Sequence, residues 1–278
     1  MPSPALNIIL RNGLLAETQK YIATSGAQDA RNIDAFIRTL MAEGLWGSLV
    51  ECWLMRSSQN AGTGSDAFGL KRVADGTLAN GPSWASNGIN FATDTSTGRS
   101  SFISCPWAYD IRTNCTTVII SDAGVGAVFT SGFQYFAGSN SSANSTMAEA
   151  LLRYDNGAQN TIIAPQSIGV AGFGSSALTL ASGIPRAYVI QRKTNTPSDA
   201  TPDGNRAYID SVLTHSGSNS GYLCTNATAS FVIGNRGVAD TVAHIGKISF
   251  VGVWADWTIS PSAIRAILKN TILQGVLP

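Results

Sequence analysis

Charge is what this sequence has least of. Asp, Glu, Lys and Arg make up only 13% of its 278 residues, about half the ~25% of an ordinary soluble domain. The 18 basic and 17 acidic residues nearly cancel, leaving a net charge of +1. No basic stripe is available to neutralise phosphates, so nucleic acid is not an expected partner. No apolar run approaches the ~20 residues of a membrane-spanning helix. The opening Met1–Asn12 stretch also lacks the basic and then apolar regions of a secretory signal. A membrane is therefore not an expected partner, and the four sequons at Asn114, Asn140, Asn144 and Asn226 read as accidents of a polar surface.

Chemically versatile residues are scarce as well. The four cysteines, Cys52, Cys105, Cys115 and Cys224, show no Cys-x-x-Cys spacing, which argues against zinc. Cys105 and Cys115 are spaced to face each other across a hairpin, and buried, reduced thiols are expected. Only two histidines occur, His215 and His244. His244 has Asp240 upstream, but no Gly-x-Ser-x-Gly elbow supplies a nucleophile for it. Gly64–Gly69 imitates the start of a phosphate-binding loop, yet Leu70 stands where a lysine is needed. The chain is expected not to be an enzyme.

What the sequence does contain is turn residues and short apolar runs. There are 28 glycines, and Gly/Ser/Asn clusters separate runs at 101–103, 116–120, 127–129, 132–136, 150–154, 161–163 and 177–180. Short strands at this density indicate an all-β sandwich. Helical periodicity is confined to two places. Ile33, Phe36, Ile37, Leu40 and Met41 share one face between Asp29 and Gly44. Ser260 and Pro261 open a second helix with Ile264, Ile267 and Leu268 facing inward. Residues 1–26 show no strong period and read as an arm for docking on a partner or a neighbouring copy. The expected organisation is an N-terminal arm and helix over 1–46 and a β-sandwich over 47–278.

The segments Arg186–Lys193, Asp203–Asp210, Phe231–Asn235, Ile245–Trp254 and Ser260–Leu268 together resemble the second half of a laminin G-like, concanavalin A-like jelly roll. The opening Trp84, Gly88 and Phe91 extends the likeness over roughly residues 84–270. The resemblance implies a sandwich of two antiparallel sheets with loops displayed to glycans or proteins. Glycosidases of that fold place two carboxylates on one strand. None of Glu17, Glu43, Glu51 and Glu149 has such a partner, and the pair Asp199 and Asp203 lies in a loop. Laminin G-like rim loops also hold calcium, which implies Asp199, Asp203 and Asn205 as oxygen ligands with Asp240 nearby. The Asp203-Gly204-Asn205 stretch reads first as a hairpin turn, with the calcium site as the alternative.

A glycan needs an aromatic ring beside hydrogen-bonding groups. Trp107 and Tyr109 with Asp110 and Arg112 meet that need, and so does Trp257 beside Asp256. The helix followed by Leu45-Trp46 resembles the N-terminal regions of bacteriophage structural proteins. From these likenesses the expected role is a capsid decoration or cement protein. It would be made in the host cytoplasm, sit in the virion, and act through contacts with capsid or other virion proteins as a homodimer or homotrimer. The alternative is a lectin-like module that binds cell-surface glycans at a tail or vertex. No cofactor other than calcium is implied.

Overall fold

A computed structural model describes residues 13–94, 99–108, 114–122, 133–139, 149–155, 161–163, 166–167, 176–177, 183–193, 205–217, 230–235, 244 and 246–278. Two antiparallel sheets form the body. The first runs β17 (Val212–Gly217), β16 (Asn205–Ile209), β15 (Arg186–Arg192), β9 (Cys115–Ser121), β19 (Gly246–Trp254), β5 (Gly88–Phe91) and β4 (Ser83–Ala85). Strand β1 (Leu49–Leu54) shares the β5 side of β19. The second runs β14 (Ser176–Ala177), β12 (Thr161–Ile163), β11 (Glu149–Asp155), β10 (Phe133–Ser139), β18 (Ser230–Ile233), β8 (Phe102–Ala108), β3 (Gly76–Ala79) and β2 (Asp66–Ala67). Strand β13 (Gln166–Ser167) adds to β11, and β6 (Thr93–Asp94) pairs with β7 (Arg99–Ser100). The expected all-β sandwich of two antiparallel sheets is the observed fold.

The central strands of the first sheet are buried on both faces. Ile119, Tyr188, Ile190, Val251 and Val253 point into the space between the sheets. There Trp53 stacks on Phe231 at 5.6 Å, and Phe136 meets Tyr188 at 5.0 Å. Val118, Ile120, Ala187, Val189, Phe250 and Trp254 point the other way, towards the helices. A strand buried on both sides has no need of polar alternation, and all seven residues of β9 are buried. In β19 a bulge between Ile248 and Phe250 shifts the alternation, so Ile248 and Val251 both face inward. Gly252 is required here, because a Cβ would come within 2.7 Å of both the Phe250 and Trp254 rings.

Three helices cover the outer face: α1 (Ala16–Ser25), α2 (Ala30–Ala42) and α3 (Pro261–Asn270). Helix α2 buries Ile33, Phe36, Ile37 and Leu40 as its spacing predicts, and Phe36 meets Phe250 edge-on at 6.0 Å. Met41 departs from that expectation: it is 36% exposed. Helix α3 starts as predicted, with Ser260 Oγ accepting from Ala263 N–H and Pro261 in its first turn. None of the helices is long and apolar enough to cross a membrane, among the described residues.

Helix α1 corrects the reading of residues 1–26 as a partner-docking arm. From Gly13 onward this segment packs on its own chain, while residues 1–12 lie outside the described residues. Its anchors are polar, which is why no apolar period announces them. Tyr21 Oη donates to Gln59 O at 2.8 Å, and Asp34 Oδ1 accepts from Leu15 N–H and Thr18 Oγ1, each at 2.7 Å. Burial alone would raise the Asp34 pKa. The Arg38 guanidinium, Leu15 N–H and Thr18 hydroxyl outweigh that and hold it below its usual value. The hairpin expectation for Cys105 and Cys115 also fails, because they sit in opposite sheets. Cys105 pairs in register with Phe231 and Cys115 with Arg192, and both are buried and outside any disulfide.

Candidate functional site

Strand register places the flanks of both sequence-predicted sites at one end of the first sheet. Cys115 pairs with Arg192, Arg192 with Asn205, and Asn205 with Gly217. The chain leaves the second sheet at Ala108, paired with Ser230, and enters the first at Cys115. Trp107 is in β8 and Asn205 opens β16. Tyr109, Asp110, Arg112, Asp199, Asp203 and Asp240 lie outside the described residues, as does Cys224. Thus the predicted glycan segment 107–112 and the predicted calcium segment 199–205 issue from neighbouring strand ends. Among the described residues no three His, Cys, Asp or Glu side chains are grouped to hold a metal.

The described part of this rim centres on Trp257. The loop after β19 is tied to the sheet end by Thr116 Oγ1 donating to Asp256 O and Gln191 Nε2 donating to Ile259 O. These bonds fix a half-buried indole beside β15 and β16. Arg206 Cζ lies 5.3 Å and Lys193 Nζ 5.7 Å from its ring centroid, inside cation–π range. Asp256 Oδ1 accepts from Thr258 N–H at 2.8 Å and from Thr258 Oγ1 at 2.7 Å, closing a local turn. The rim therefore offers an aromatic ring, a hydroxyl, a carboxylate and two cations together. The sequence showed Trp257 and Asp256 side by side, but Arg206 and Lys193 arrive only through strand pairing.

Two buried groups have the look of chemistry and a structural purpose. His244 Nε2 is 3.0 Å from Ser121 Oγ, and both residues are fully buried. Ser121 Oγ donates its proton to Lys247 O at 2.8 Å, so the imidazole must donate through Nε2–H. Nδ1 then has no hydrogen-bond partner among the described residues. Packed against Phe91 and Phe136, the ring has its pKa pushed down to about 3 by burial. A hydroxyl committed to a carbonyl and sealed from solvent is a poor nucleophile. Glu51 is likewise fully buried, and burial raises its pKa against the pull of its hydrogen bonds. Its carboxylate accepts the backbone N–H groups of Cys52, Lys71, Val73 and Ala74 at 2.7–3.2 Å. This pins the 69–74 loop to β1 and leaves no lone pair aimed at a substrate.

An open cleft of about 420 Å³ lies between the start of α2 and the C-terminal turn, lined by Gln28, Asp29, Asn32, Arg56, Ser58 and Gln274. Its main groups are bonded internally: Asp29 accepts from Asn32 and Gln59, and Arg56 donates to Ser86 O and Ile272 O. It offers no aromatic ring.

No protein-family model matches the sequence, and no curated protein matches it. The fold does have solved relatives. Trypanosoma rangeli sialidase in complex with sialic acid aligns with 81% of this chain at 14% identity and a TM-score of 0.55. Another structure of that sialidase covers 86% at 15% identity and a TM-score of 0.56. The binding domain of botulinum neurotoxin serotype D covers 82% at 11% identity and a TM-score of 0.56. The chain spans only 33% and 38% of the two sialidase chains and 53% of the toxin domain. At these identities the likeness establishes a shared β-sandwich, consistent with the lectin-like fold. It also overturns the expectation that the chain is not an enzyme. Proteins that share this architecture include sialidases, so neither the fold nor missing motifs set the chain apart from enzymes.

Proposed function

We propose that this chain is a carbohydrate-binding β-sandwich that holds a saccharide at the end of its first sheet, around Trp257. The observation that carries this reading is the half-buried indole flanked by hydrogen-bonding side chains on a rim fixed by strand ends. A sugar presents apolar C–H faces edged by hydroxyls, and an aromatic surface bordered by planar polar groups complements both. Trp107 belongs to β8, and its own variant tests whether the predicted segment 107–112 adds to this surface. Fold likeness to a sialidase solved with sialic acid and to a toxin binding domain agrees with this assignment. The test is a glycan array probed with the full chain and with Trp257→Ala and Trp107→Ala. Retention of specific glycans, weakened at least ten-fold by Trp257→Ala, is expected. A blank array at high protein concentration overturns the reading.

The virion decoration role is the second reading, favoured by one surface feature. Edge strand β17 has a partner only in β16 among the described residues, and Val212 (66% exposed) and Leu213 (51%) lie on it. Apolar residues at an open sheet edge suit a protein contact. Mass spectrometry of gradient-purified particles tests it: tens to hundreds of copies per particle support decoration, and absence removes this reading.

A further inference from the structure

The open cleft beside the start of α2 is built from three stretches of chain that meet only in the folded protein. Gln28, Asp29 and Asn32 come from the entry to α2, Arg56 and Ser58 follow β1, and Gln274 lies in the C-terminal turn. Its framework is fixed from behind. Gln59, fully buried, donates through Nε2 to Asp29 Oδ2 and to Ile272 O, each at 2.7 Å. Arg56 donates to Ser86 O through Nε and to Ile272 O through Nη1, both at 2.9 Å. Gln59 Oε1 is left buried with no donor among the described residues. An orphaned acceptor costs stability, so the fold keeps this bridge between the cleft walls at a disadvantage to itself.

Free groups remain on that framework. Among the described residues, Arg56 Nη2, the Gln28 amide, Ser58 Oγ, Asn32 Oδ1 and Gln274 Oε1 make no hydrogen bond. Asp29 is engaged by Asn32 and Gln59, and Arg56 by backbone carbonyls, rather than by each other. The cleft therefore carries no net formal charge and mixes donors with acceptors. A hydroxyl both donates and accepts, so it suits every one of these groups. A phosphate or sulfate only accepts, and would set its oxygens against Asp29 and the amide oxygens; an ammonium would set its charge against Arg56. With no aromatic ring in the lining, a glycan chain has no platform to stack on. The volume of about 420 Å³ is at the small end of the ~300–1,000 Å³ typical of ligand sites.

We infer that this cleft is a second saccharide site, sharing no residue with the Trp257 rim, and that it takes one neutral sugar unit by hydrogen bonds alone. Arg56 Nη2 donates to a sugar oxygen, Asn32 Oδ1 and Gln274 Oε1 accept from hydroxyls, and Gln28 and Ser58 do either. It does not depend on the Trp257 reading, and each can fail without the other. The test is NMR titration of the full ¹⁵N-labelled chain with glucose, galactose, mannose and N-acetylglucosamine, with inorganic phosphate as the anionic control. Saturable shifts of the Gln28, Asn32 and Gln274 side-chain amides are expected with at least one sugar, at lower concentration than with phosphate. Asn32→Ala and the exposed Gln274→Ala should each weaken that binding about five-fold, the loss of one neutral hydrogen bond, while Trp257→Ala leaves it unchanged. Thermal midpoints confirm that the variants fold. The inference is overturned by the absence of saturable shifts with all four sugars, by tighter binding of phosphate, or by a response unmoved by both cleft variants. Shifts that vanish in Trp257→Ala overturn it as well, and in every case the Trp257 reading is left to its own array test.

Discussion

Acid should destabilise this protein through His244 in a calculable way. The folded imidazole holds its pKa at about 3 because burial disfavours the charged form, whereas an unfolded histidine titrates near 6.5. Between those values the unfolded chain binds a proton that the folded one refuses, so stability falls as pH falls through 6.5. The slope approaches 1.4 kcal/mol per pH unit. Integrated, this is about 2 kcal/mol lost between pH 7 and pH 5, and about 3 kcal/mol by pH 4. Of the groups around the ring only the Lys247 backbone pulls the pKa back up, and by less than burial lowers it. Ser121 and Lys247 face it with a hydroxyl and a backbone carbonyl, Phe91 and Phe136 with rings, and the Asp122 carboxylate is engaged by Lys247 N–H. Replacement by phenylalanine keeps an aromatic ring of similar size and removes the titration, while Ser121 Oγ retains Lys247 O. Urea unfolding of the wild type and His244→Phe across pH 4–8 isolates the effect, since other acid-sensitive groups such as Asp34 cancel in the difference. The stability difference should move in favour of the variant by about 2 kcal/mol from pH 7 to pH 5. A difference that stays constant with pH refutes the assignment of a buried, neutral imidazole.

Three further outcomes follow from the packing. Glu51→Gln sets an amide N–H₂ against backbone N–H groups and orphans two buried donors at ~1–3 kcal/mol each. Relief of the buried charge offsets part of that, so denaturant unfolding should show a loss of about 2–4 kcal/mol, with faster amide exchange over 69–74. Ser211→Gly should stabilise the β16–β17 hairpin by about 0.5–1 kcal/mol, read as a raised thermal midpoint. Asp210 (φ 47°) and Ser211 (φ 73°) form its two-residue turn, and glycine occupies that region without strain. On α2, Ile37→Ala should cost about 2–5 kcal/mol and Met41→Ala under ~1, because Ile37 is fully buried and Met41 faces solvent.

That same hairpin shows where local reading stops. The Asp203-Gly204 pair read as a turn lies outside the described residues, and the tight turn that joins β16 to β17 is Asp210-Ser211, which carries no glycine to advertise it. Helix α1 was hidden because Tyr21, Thr18 and the Asp34 carboxylate hold it by single polar bonds rather than by an apolar stripe. The candidate site was legible only as Trp257 with Asp256. Its cations come from β16 and from the residue that follows β15, more than fifty residues earlier in the chain.

What the sequence determined by itself is what local periodicity encodes. Short apolar runs between turn clusters made the chain a β-sandwich, and the 3.6-residue spacing of Ile33, Phe36, Ile37 and Leu40 selected the buried face of α2. Capping chemistry likewise placed the start of α3 at Ser260. Tertiary structure alone decided that the central strands of the first sheet are buried on both sides, that Cys105 and Cys115 lie in opposite sheets, and that Ser121 meets His244 across 123 residues of sequence. It alone gathered Arg206 and Lys193 on Trp257. The physical reason is that side-chain period reports which residues share a face, whereas strand register, set by pairing between distant segments, decides which faces and strand ends meet.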